Sequence, residues 1–230
     1  MTVRLFALSD LHLSLGDQSK SMEIFYGWEH YAERIEAHWK RVVSADDTVV
    51  LAGDTSWGMS LADAKLDFAF LDALPGQKIL LKGNHDFWFD TMRKTEMFWA
   101  ENGFSSLHFL LNNCFPVGQF AVCGTRGWVY DGTGEHDQKM VARECGRLET
   151  SLSLAEKTGL QPVVFLHYPP VFREERCDEI LEVLRRHNVR MIYYGHIHGN
   201  GRNHAPTGFE EIKMRLISCD CVDFTPIFIG

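Results

Sequence analysis

The feature that most constrains the fold is a series of short apolar runs separated by longer segments of helical period. The runs cover Val3–Ser9, Thr48–Ala52, Lys78–Lys82, Gln119–Gly124, Gln161–Leu166, Arg190–Tyr194 and Ile212–Ser218. Several are apolar at consecutive positions, which is typical of strands buried on both faces. Strands that alternate with helices predict a layered α/β domain. No linker or repeat interrupts the pattern, so we expect residues 1–230 to form one domain.

Amphipathic segments between these runs predict the helices. We expect helices over Met22–Ala45, Ser60 to Leu74, Asp90 to Asn102, Asp137–Lys157 and Glu174–His187. Ser60 and Asp90 have side chains that can cap the first turn of a helix. The tail from Asp223 to Ile229 predicts a final edge strand, because an edge tolerates Pro226.

Metal-competent side chains directly follow five of the predicted strands. They are Asp10 and His12, Asp54, Asn84 and His85, His167, and His196 and His198. Ligand sites in open α/β sheets gather beyond the carboxyl ends of the strands, so we expect these side chains to meet at one rim. Oxygen and imidazole donors suit Mn, Fe or Zn. Even without His85, seven candidate ligands exceed what one tetrahedral ion can use, which predicts two divalent ions.

The charge and the cysteines of the chain indicate which partners it can bind and in which cell compartment we expect it. The net charge of -8 disfavours broad electrostatic binding to nucleic acid. The chain shows neither a signal-peptide pattern nor an apolar stretch long enough to span a bilayer, so we expect a cytoplasmic protein without a membrane partner. None of the six cysteines forms a CxxC pair, and we expect free thiols. Cys219-x-Cys221 is an alternative soft metal pair, but two cysteines do not complete a site.

Taken together, the polar blocks resemble the pattern of the calcineurin-like metallophosphoesterases. That pattern reads Asp-x-His, Gly-Asp, Gly-Asn-His-Asp/Glu, a lone His and Gly-His-x-His, and all five blocks occur in order from Asp10 to His198. Their forms are most similar to the bacterial phosphohydrolase and phosphodiesterase branch. The resemblance implies a four-layer α/β/β/α sandwich of two mixed β-sheets flanked by helices.

The resemblance also implies a role for each site residue. One ion is expected on Asp10, His12 and His198, and the other on Asn84, His167 and His196. Asp54 would bridge the two ions, and His85 would face the leaving group rather than bind metal. A water shared by two cations loses its proton near neutral pH, so the expected nucleophile is a bridging hydroxide. The expected reaction is hydrolysis of a phosphomonoester or phosphodiester.

Two departures separate the chain from the protein Ser/Thr phosphatase branch. Trp57 stands where that branch has the Asp that pairs with its catalytic His, and Lys82 stands where it has a phosphate-binding Arg. We therefore expect a small-molecule phosphate ester as substrate. Asp86 is one candidate for orienting His85. Arg126 follows another apolar strand and is a candidate phosphate ligand, with a surface salt bridge as the alternative.

Three other functions stay open at this point. A nuclease or a cyclic-nucleotide phosphodiesterase would use the same ligands, whereas a non-catalytic metal-binding scaffold would be expected to have lost ligands or His85. We expect the regions Leu13–Tyr31 and Gly127–Met140 to shape the substrate pocket. In that pocket, Trp28, Trp57 and Trp128 would contact the organic part of the substrate. The alternative is that they are ordinary core residues.

Overall fold

The computed structural model describes residues 3–128 and 135–230. Its strands are β1 (Leu5–Leu8), β2 (Thr48–Leu51), β3 (Gln77–Leu80), β4 (Leu107–Phe109), β5 (Phe115–Val117), β6 (Phe120–Thr125), β7 (Gln161–Leu166), β8 (Val171–Phe172), β9 (Glu175–Arg176), β10 (Met191–Tyr194), β11 (Gly208–Phe209), β12 (Ile212–Leu216) and β13 (Ile227–Phe228). Its α-helices are α1 (Tyr31–Val42), α2 (Lys65–Ala73), α3 (Met92–Glu101), α4 (Glu135–Glu156) and α5 (Asp178–Arg186). Among the described residues, no helix has the length and apolar character needed to cross a membrane.

Two mixed sheets form the centre of the molecule. The first has the strand order β13-β1-β2-β3-β4, in which only β13 runs antiparallel to its neighbour. The second has the order β11-β12-β10-β7-β6-β5, with parallel strands inside and antiparallel β11 and β5 at its edges. Strands β8 and β9 form a separate hairpin.

Three apolar layers hold the sheets and helices together. Between the sheets, alternate residues such as Val50 and Phe165 pack face to face. The outer face of the first sheet packs against Trp39 of α1 and Phe68 of α2. The outer face of the second sheet packs against α4 and α5, where Leu184 is fully buried. The order helix, sheet, sheet, helix is the predicted four-layer sandwich.

The structure corrects several element boundaries. The first predicted helix begins at Tyr31 rather than at Met22, because Met22–Ile24 forms only a short 3₁₀ turn. The third helix is capped by Thr91, whose side chain accepts from the amide of Lys94 at 3.3 Å, and not by Asp90. The predicted edge strand at the tail is confirmed as β13, which borders the first sheet.

The carboxyl ends of the central strands of both sheets meet at one rim. There a backbone bridge between Ser9 and Ser218 links the ends of β1 and β12. The amide of Ser9 donates to the carbonyl of Ile217 at 3.0 Å, and the amide of Cys219 donates to the carbonyl of Ser9 at 2.9 Å. This contact closes the sandwich beside the polar blocks and fixes the position of the Asp10 loop.

Candidate metal centre

The polar blocks come together at this rim as two groups of potential ligands. Asp10, His12 and His198 form one group, and Asp54, His167 and His196 form the other. Within each group the ligand atoms lie within 4.8 Å of one another. Each group takes residues from both sheets, since β1 and β2 belong to the first sheet and β7 and β10 to the second. The structure thus brings together Asp10, His12 and His198, which the resemblance assigned to one ion, and His167 and His196, which it assigned to the other.

Asp54 belongs to the second group and also approaches the first, and Asn84 joins the second. Oδ2 of Asp54 is 3.4 Å from Nε2 of His167 and 3.8 Å from Nε2 of His12. Oδ1 of Asn84 is 2.6 Å from the same nitrogen of His167. Oδ1 of Asp54 accepts the backbone amide of His85 at 2.7 Å, so this carboxylate also fixes the loop after β3.

Four of the candidate ligands have a left-handed backbone. The φ angles are 59° at Asp10, 48° at His12, 51° at Asp54 and 69° at His196. Residues with side chains rarely adopt this region, and such strain gathers at functional sites. These residues lie directly after β1, β2 and β10, so that side chains from strands of both sheets reach one rim.

Glycines allow the blocks to approach one another closely. A Cβ atom at Gly83 would lie 2.1 Å from Oδ1 of Asp54, and one at Gly195 would lie 2.1 Å from Oγ of Ser9 and 2.3 Å from Oδ2 of Asp10. No side chain fits at these distances. The Gly that precedes Asn84 and the Gly that precedes His196 are therefore required by contact between blocks.

Hydrogen bonds orient two of the imidazoles from behind. Nδ1 of His167 is 3.0 Å from the carbonyl oxygen of Ala52, to which it can donate, and this leaves Nε2 as the free acceptor. Nδ1 of His198 is 2.8 Å from Oδ1 of Asp220, while its Nε2 is 3.3 Å from Oδ1 of Asp10. A carboxylate or carbonyl behind the ring is the usual support of a metal-binding histidine.

Burial divides the imidazoles into two protonation classes. It lowers the pKa of His12 to about 3 and the pKa of both His167 and His196 to about 4, so these rings are neutral at neutral pH. Burial also opposes the charged form of His198, but its hydrogen bonds to Asp10 and Asp220 raise the pKa of that ring to about 10.

The two central carboxylates also differ. Burial opposes the ionised form of Asp10, yet the hydrogen-bonded His198 and the neighbouring His167 hold the pKa of this carboxyl well below its usual range. Burial, followed by the charges of Asp10 and Asp86, raises the pKa of Asp54 to about 9. Two buried carboxylates this close favour a bound cation, which would remove their mutual repulsion.

The residues present fit divalent metal ions. Nε2 of His12 lies 3.8 Å from Oδ2 of Asp54, so this imidazole nitrogen faces the carboxylate that both groups approach. When Nδ1 of His167 donates to Ala52, Nε2 of His167 and Oδ1 of Asn84 are two acceptors that face each other. A cation between them satisfies both atoms. The mixture of carboxylate, amide and imidazole donors suits borderline or harder cations.

Comparison with known proteins identifies the family of the chain. Residues 3–200 match the family model described as calcineurin-like phosphoesterase. The chain belongs to the calcineurin-like phosphoesterase family. No curated protein matches the chain.

Solved structures with the same fold are distant in sequence. One is a protein of unknown function, AQ665 from Aquifex aeolicus, which is 15% identical over 99% of this chain and 96% of its own, with a TM-score of 0.52. Another is TT1561 of Thermus thermophilus, which is 16% identical over 86% of this chain and 83% of its own, with a TM-score of 0.57. These likenesses show the calcineurin-like fold alone.

Asp86 does not orient the ring of His85, contrary to the hypothesis raised by the sequence. Its buried carboxylate turns inward and accepts from five N–H donors, which are the backbone amides of Asp54, Thr55, Ser56 and Gly83 and the indole of Trp88. The five distances lie between 2.7 and 3.3 Å. Asp86 thus links the Gly-Asp block at Asp54 to the Gly-Asn-His-Asp block that begins at Gly83.

His85 is held by an aromatic neighbour instead. Its ring centroid lies 4.5 Å from that of Trp57, which also stacks on His12 at 4.9 Å. Among the described residues, no side-chain hydrogen bond reaches the His85 imidazole. Trp57, at the sequence position where the resemblance to the protein phosphatases would place an Asp, therefore contacts the ring of His85. Burial lowers the pKa of His85, with a partial offset from Asp86 and Asp10.

The alternative interpretation of Arg126 was a salt bridge at the surface, but the residue does not lie at the surface. Its side chain is mostly buried, with the guanidinium 4.6 Å from the ring centroid of Trp128 and 3.9 Å from Glu144. Its Nε and one terminal nitrogen are buried without a hydrogen-bond partner. The backbone carbonyl of Arg126 accepts the amides of His167 and Tyr168 at 3.1 and 2.8 Å, which ties this loop to the metal centre.

The other residues noted in the sequence divide between core and rim. Trp28 is buried, with its ring centroid 5.8 Å from that of His198, so it serves both as core and as a wall of the centre. All six cysteines are free, and no ligand group of the described residues includes one. Within the predicted pocket region Gly127–Met140, residues 129–134 lie outside the described residues.

Asp220 is the site residue that the sequence interpretation missed. Besides its contact with His198, its Oδ2 accepts the amide of Gly199 at 2.8 Å. It follows the predicted strand Ile212–Ser218, and so obeys the same rule of a polar residue beyond a strand end. In the sequence it lies between Cys219 and Cys221, and their spacing indicated a possible thiol pair instead.

Proposed function

We propose that the chain is a metal-dependent phosphoesterase with two metal ions, which hydrolyses a small phosphomonoester or phosphodiester. The observation that carries this proposal is the position of Asp54, whose Oδ2 lies within 3.8 Å of an imidazole nitrogen of each ligand group. A single shared carboxylate suits two ions that act on one phosphoryl group.

The two ligand groups would divide the ions between them. Asp10, His12 and His198 would hold one ion, and Asn84, His167 and His196 the other, with Asp54 shared. When bound, two such ions supply Lewis-acid activation of water and neutralise charge on the phosphoryl oxygens. The donor set supports Mn, Fe or Zn as the metal.

His85 would donate a proton to the departing oxygen of the ester. The imidazolium form of His85 loses an N–H proton and becomes neutral imidazole, while the leaving alkoxide becomes an alcohol, so proton and charge balance. Because burial lowers the pKa of His85, its protonated fraction declines at a pH below the ordinary value for histidine. Hydrolysis of esters with poor leaving groups should therefore decline as pH rises through that lowered pKa.

The variant His85→Asn tests this role. We expect kcat for phenyl phosphate, a poor leaving group, to fall by about 10²- to 10⁴-fold, while the metal content stays unchanged. The matched control is His30→Asn, since His30 is exposed and its φ of 52° is tolerated by Asn. An unchanged rate for His85→Asn would remove His85 from the reaction.

Arg126 and Lys82 would form the cationic side of the phosphate site. Support comes from the unpaired buried nitrogens of Arg126. It also comes from the pKa of Lys82, which is lowered by burial first and by the charge of Arg126 second, so the two cations lie near each other. Lys82 is also two residues from Asn84 in the chain. Arg126 keeps free N–H donors beside its ion pair with Glu144, and two cations beside a candidate metal centre suit a bound phosphoryl group.

A metal-reconstituted assay tests the proposal as a whole. Protein stripped by chelation would be loaded with Mn, Fe, Ni, Co or Zn and given p-nitrophenyl phosphate and bis-p-nitrophenyl phosphate. We expect turnover that requires metal. Turnover of the monoester alone would assign a phosphatase, and turnover of the diester alone a phosphodiesterase. Metal binding without turnover of either ester would overturn the proposal in favour of a scaffold.

A further inference from the structure

A run of exposed apolar side chains borders the metal centre on the His198 side. Ile24, Phe25 and Tyr26 are 81%, 52% and 99% exposed. The segment that carries them is fixed at both ends, by buried Met22 and buried Trp28. Contiguous exposed apolar residues on a soluble surface mark binding sites. A segment anchored in this way presents its aromatic rings in a defined position.

These rings form one wall of a cleft of about 610 Å³. We call it the aromatic cleft; it is lined by Met22, Phe25, Tyr26, Gly27, Trp28, His198, Gly199, Asn200, Arg202 and Asp220. Its volume lies within the range of about 300–1,000 Å³ that is typical of small-molecule sites. The candidate metal ligand His198 is part of the lining, so the cleft and the metal centre are continuous.

The chemistry of the walls favours a planar aromatic group. Phe25 and Tyr26 offer exposed ring faces and edges on one side. Arg202 also lines the cleft and is exposed, and among the described residues its side chain makes neither a hydrogen bond nor a salt bridge. A guanidinium and aromatic rings can hold a flat π-system between them by stacking and cation–π contact. The exposed amide of Asn200 can bind the polar edge of such a ring.

We propose that the aromatic cleft binds the alcohol portion of the phosphate ester and that this portion carries a planar aromatic ring. The inference rests on the proposed hydrolysis at the adjoining metal centre. It identifies the substrate class as aryl or nucleoside phosphate esters rather than esters of small aliphatic alcohols. The phosphoryl group would lie at the metal ligands, and the ring would lie against Phe25 and Tyr26.

Equilibrium binding of two non-hydrolysable probes tests the inference. Phenylphosphonate and methylphosphonate would be titrated into the metal-loaded full chain by calorimetry. We expect phenylphosphonate to bind about tenfold more tightly, the scale of one stacked ring. The double variant Phe25→Ala, Tyr26→Ala should reduce the preference to about twofold. Met97→Ala is the control, because Met97 is 51% exposed but lies on α3, outside the cleft.

The outcomes separate this inference from the proposed function. Metal-dependent hydrolysis with equal binding of both probes would overturn the aromatic cleft and leave the phosphoesterase intact. A phenyl preference without hydrolysis of any ester would support the cleft and overturn the reaction. Binding of neither probe would overturn the cleft. Self-association that the double variant abolishes would identify the rings as a contact between copies of the chain, and would also overturn it.

Discussion

Replacement of Asp86 should destabilise the protein more than any exposed acidic substitution. The carboxylate is fully buried and satisfies five N–H donors, four from the backbone and one from an indole. An orphaned buried donor costs about 1–3 kcal/mol. The change Asp86→Ala would orphan all five, so the loss is on the order of 5 kcal/mol at the low end. That is comparable to the whole stability of a domain, about 5–15 kcal/mol, and we expect little folded protein.

The isosteric change Asp86→Asn gives a measurable version of the same effect. The amide oxygen can keep the three bonds now made to Oδ1, while the amide NH₂ faces the two donors now bonded to Oδ2. Two lost bonds at about 1–3 kcal/mol each predict a loss of about 2–6 kcal/mol. The loss should come with weaker metal retention, because the two lost donors belong to the Asp54 and Gly83 backbone.

Urea denaturation of chelator-treated protein would measure this loss without a contribution from bound metal. The matched control is Asp90→Asn, which removes only an exposed ion pair with Lys94 and should change the free energy of unfolding by less than about 0.5 kcal/mol. If Asp86→Asn unfolds within about 1 kcal/mol of the wild type and retains its metal, the bonding role of Asp86 is wrong.

Three further predictions concern the metal ligands and their supports. Asp220→Asn should weaken metal binding by about 10- to 100-fold through the loss of support for His198; chelator competition measures this, and an effect no larger than that of the exposed control Asp223→Asn would contradict it. Filling both sites at pH 7.5 should release about two protons, because Asp54 and His198 have pKa values raised to about 9 and about 10; calorimetry in buffers of different ionisation enthalpy measures the release, and release of none would refute this protonation state. Gly195→Ala should abolish metal retention, measured by elemental analysis, because its Cβ would lie 2.3 Å from a carboxylate oxygen of the first ligand group; normal metal content would show that the loop can move aside.

The strands that carry ligands could be predicted from sequence, as could the edge strand β13, whereas the edge strands β4 and β5 could not. The runs over β2 and β7 are apolar at consecutive positions because both faces are covered, and this signal needs no neighbour. Strands β4 and β5 have three residues each, too few to show a period. They are specified by pairing with β3 and β6, which is information that lies outside their own residues.

The ligand groups could also be predicted from the sequence, for a similar reason. Each block follows a strand, and strand ends converge, so Asp10 and His196 could be placed at one rim from their positions in the chain. The residues that support the ligands, Asp86 and Asp220, could not be predicted from the sequence, because their roles depend on the direction of a side chain. Asp86 adjoins His85 in sequence but points away from its ring, and Asp220 reaches His198 across 22 positions. The left-handed turns at the ligands were equally hidden, since only the assembled rim requires them.

In the proposed function, Asp54 joins two metal ions in one catalytic centre. The most direct test of this claim is a titration of Mn²⁺ into metal-free protein, with bound metal and the hydrolysis rate measured on the same samples. We predict two ions per chain and a rate that appears as the second ion binds, with both lost in Asp54→Asn but retained in the exposed control Asp63→Asn. A full rate with one bound ion, or an Asp54→Asn variant with two ions and normal turnover, would contradict the claim.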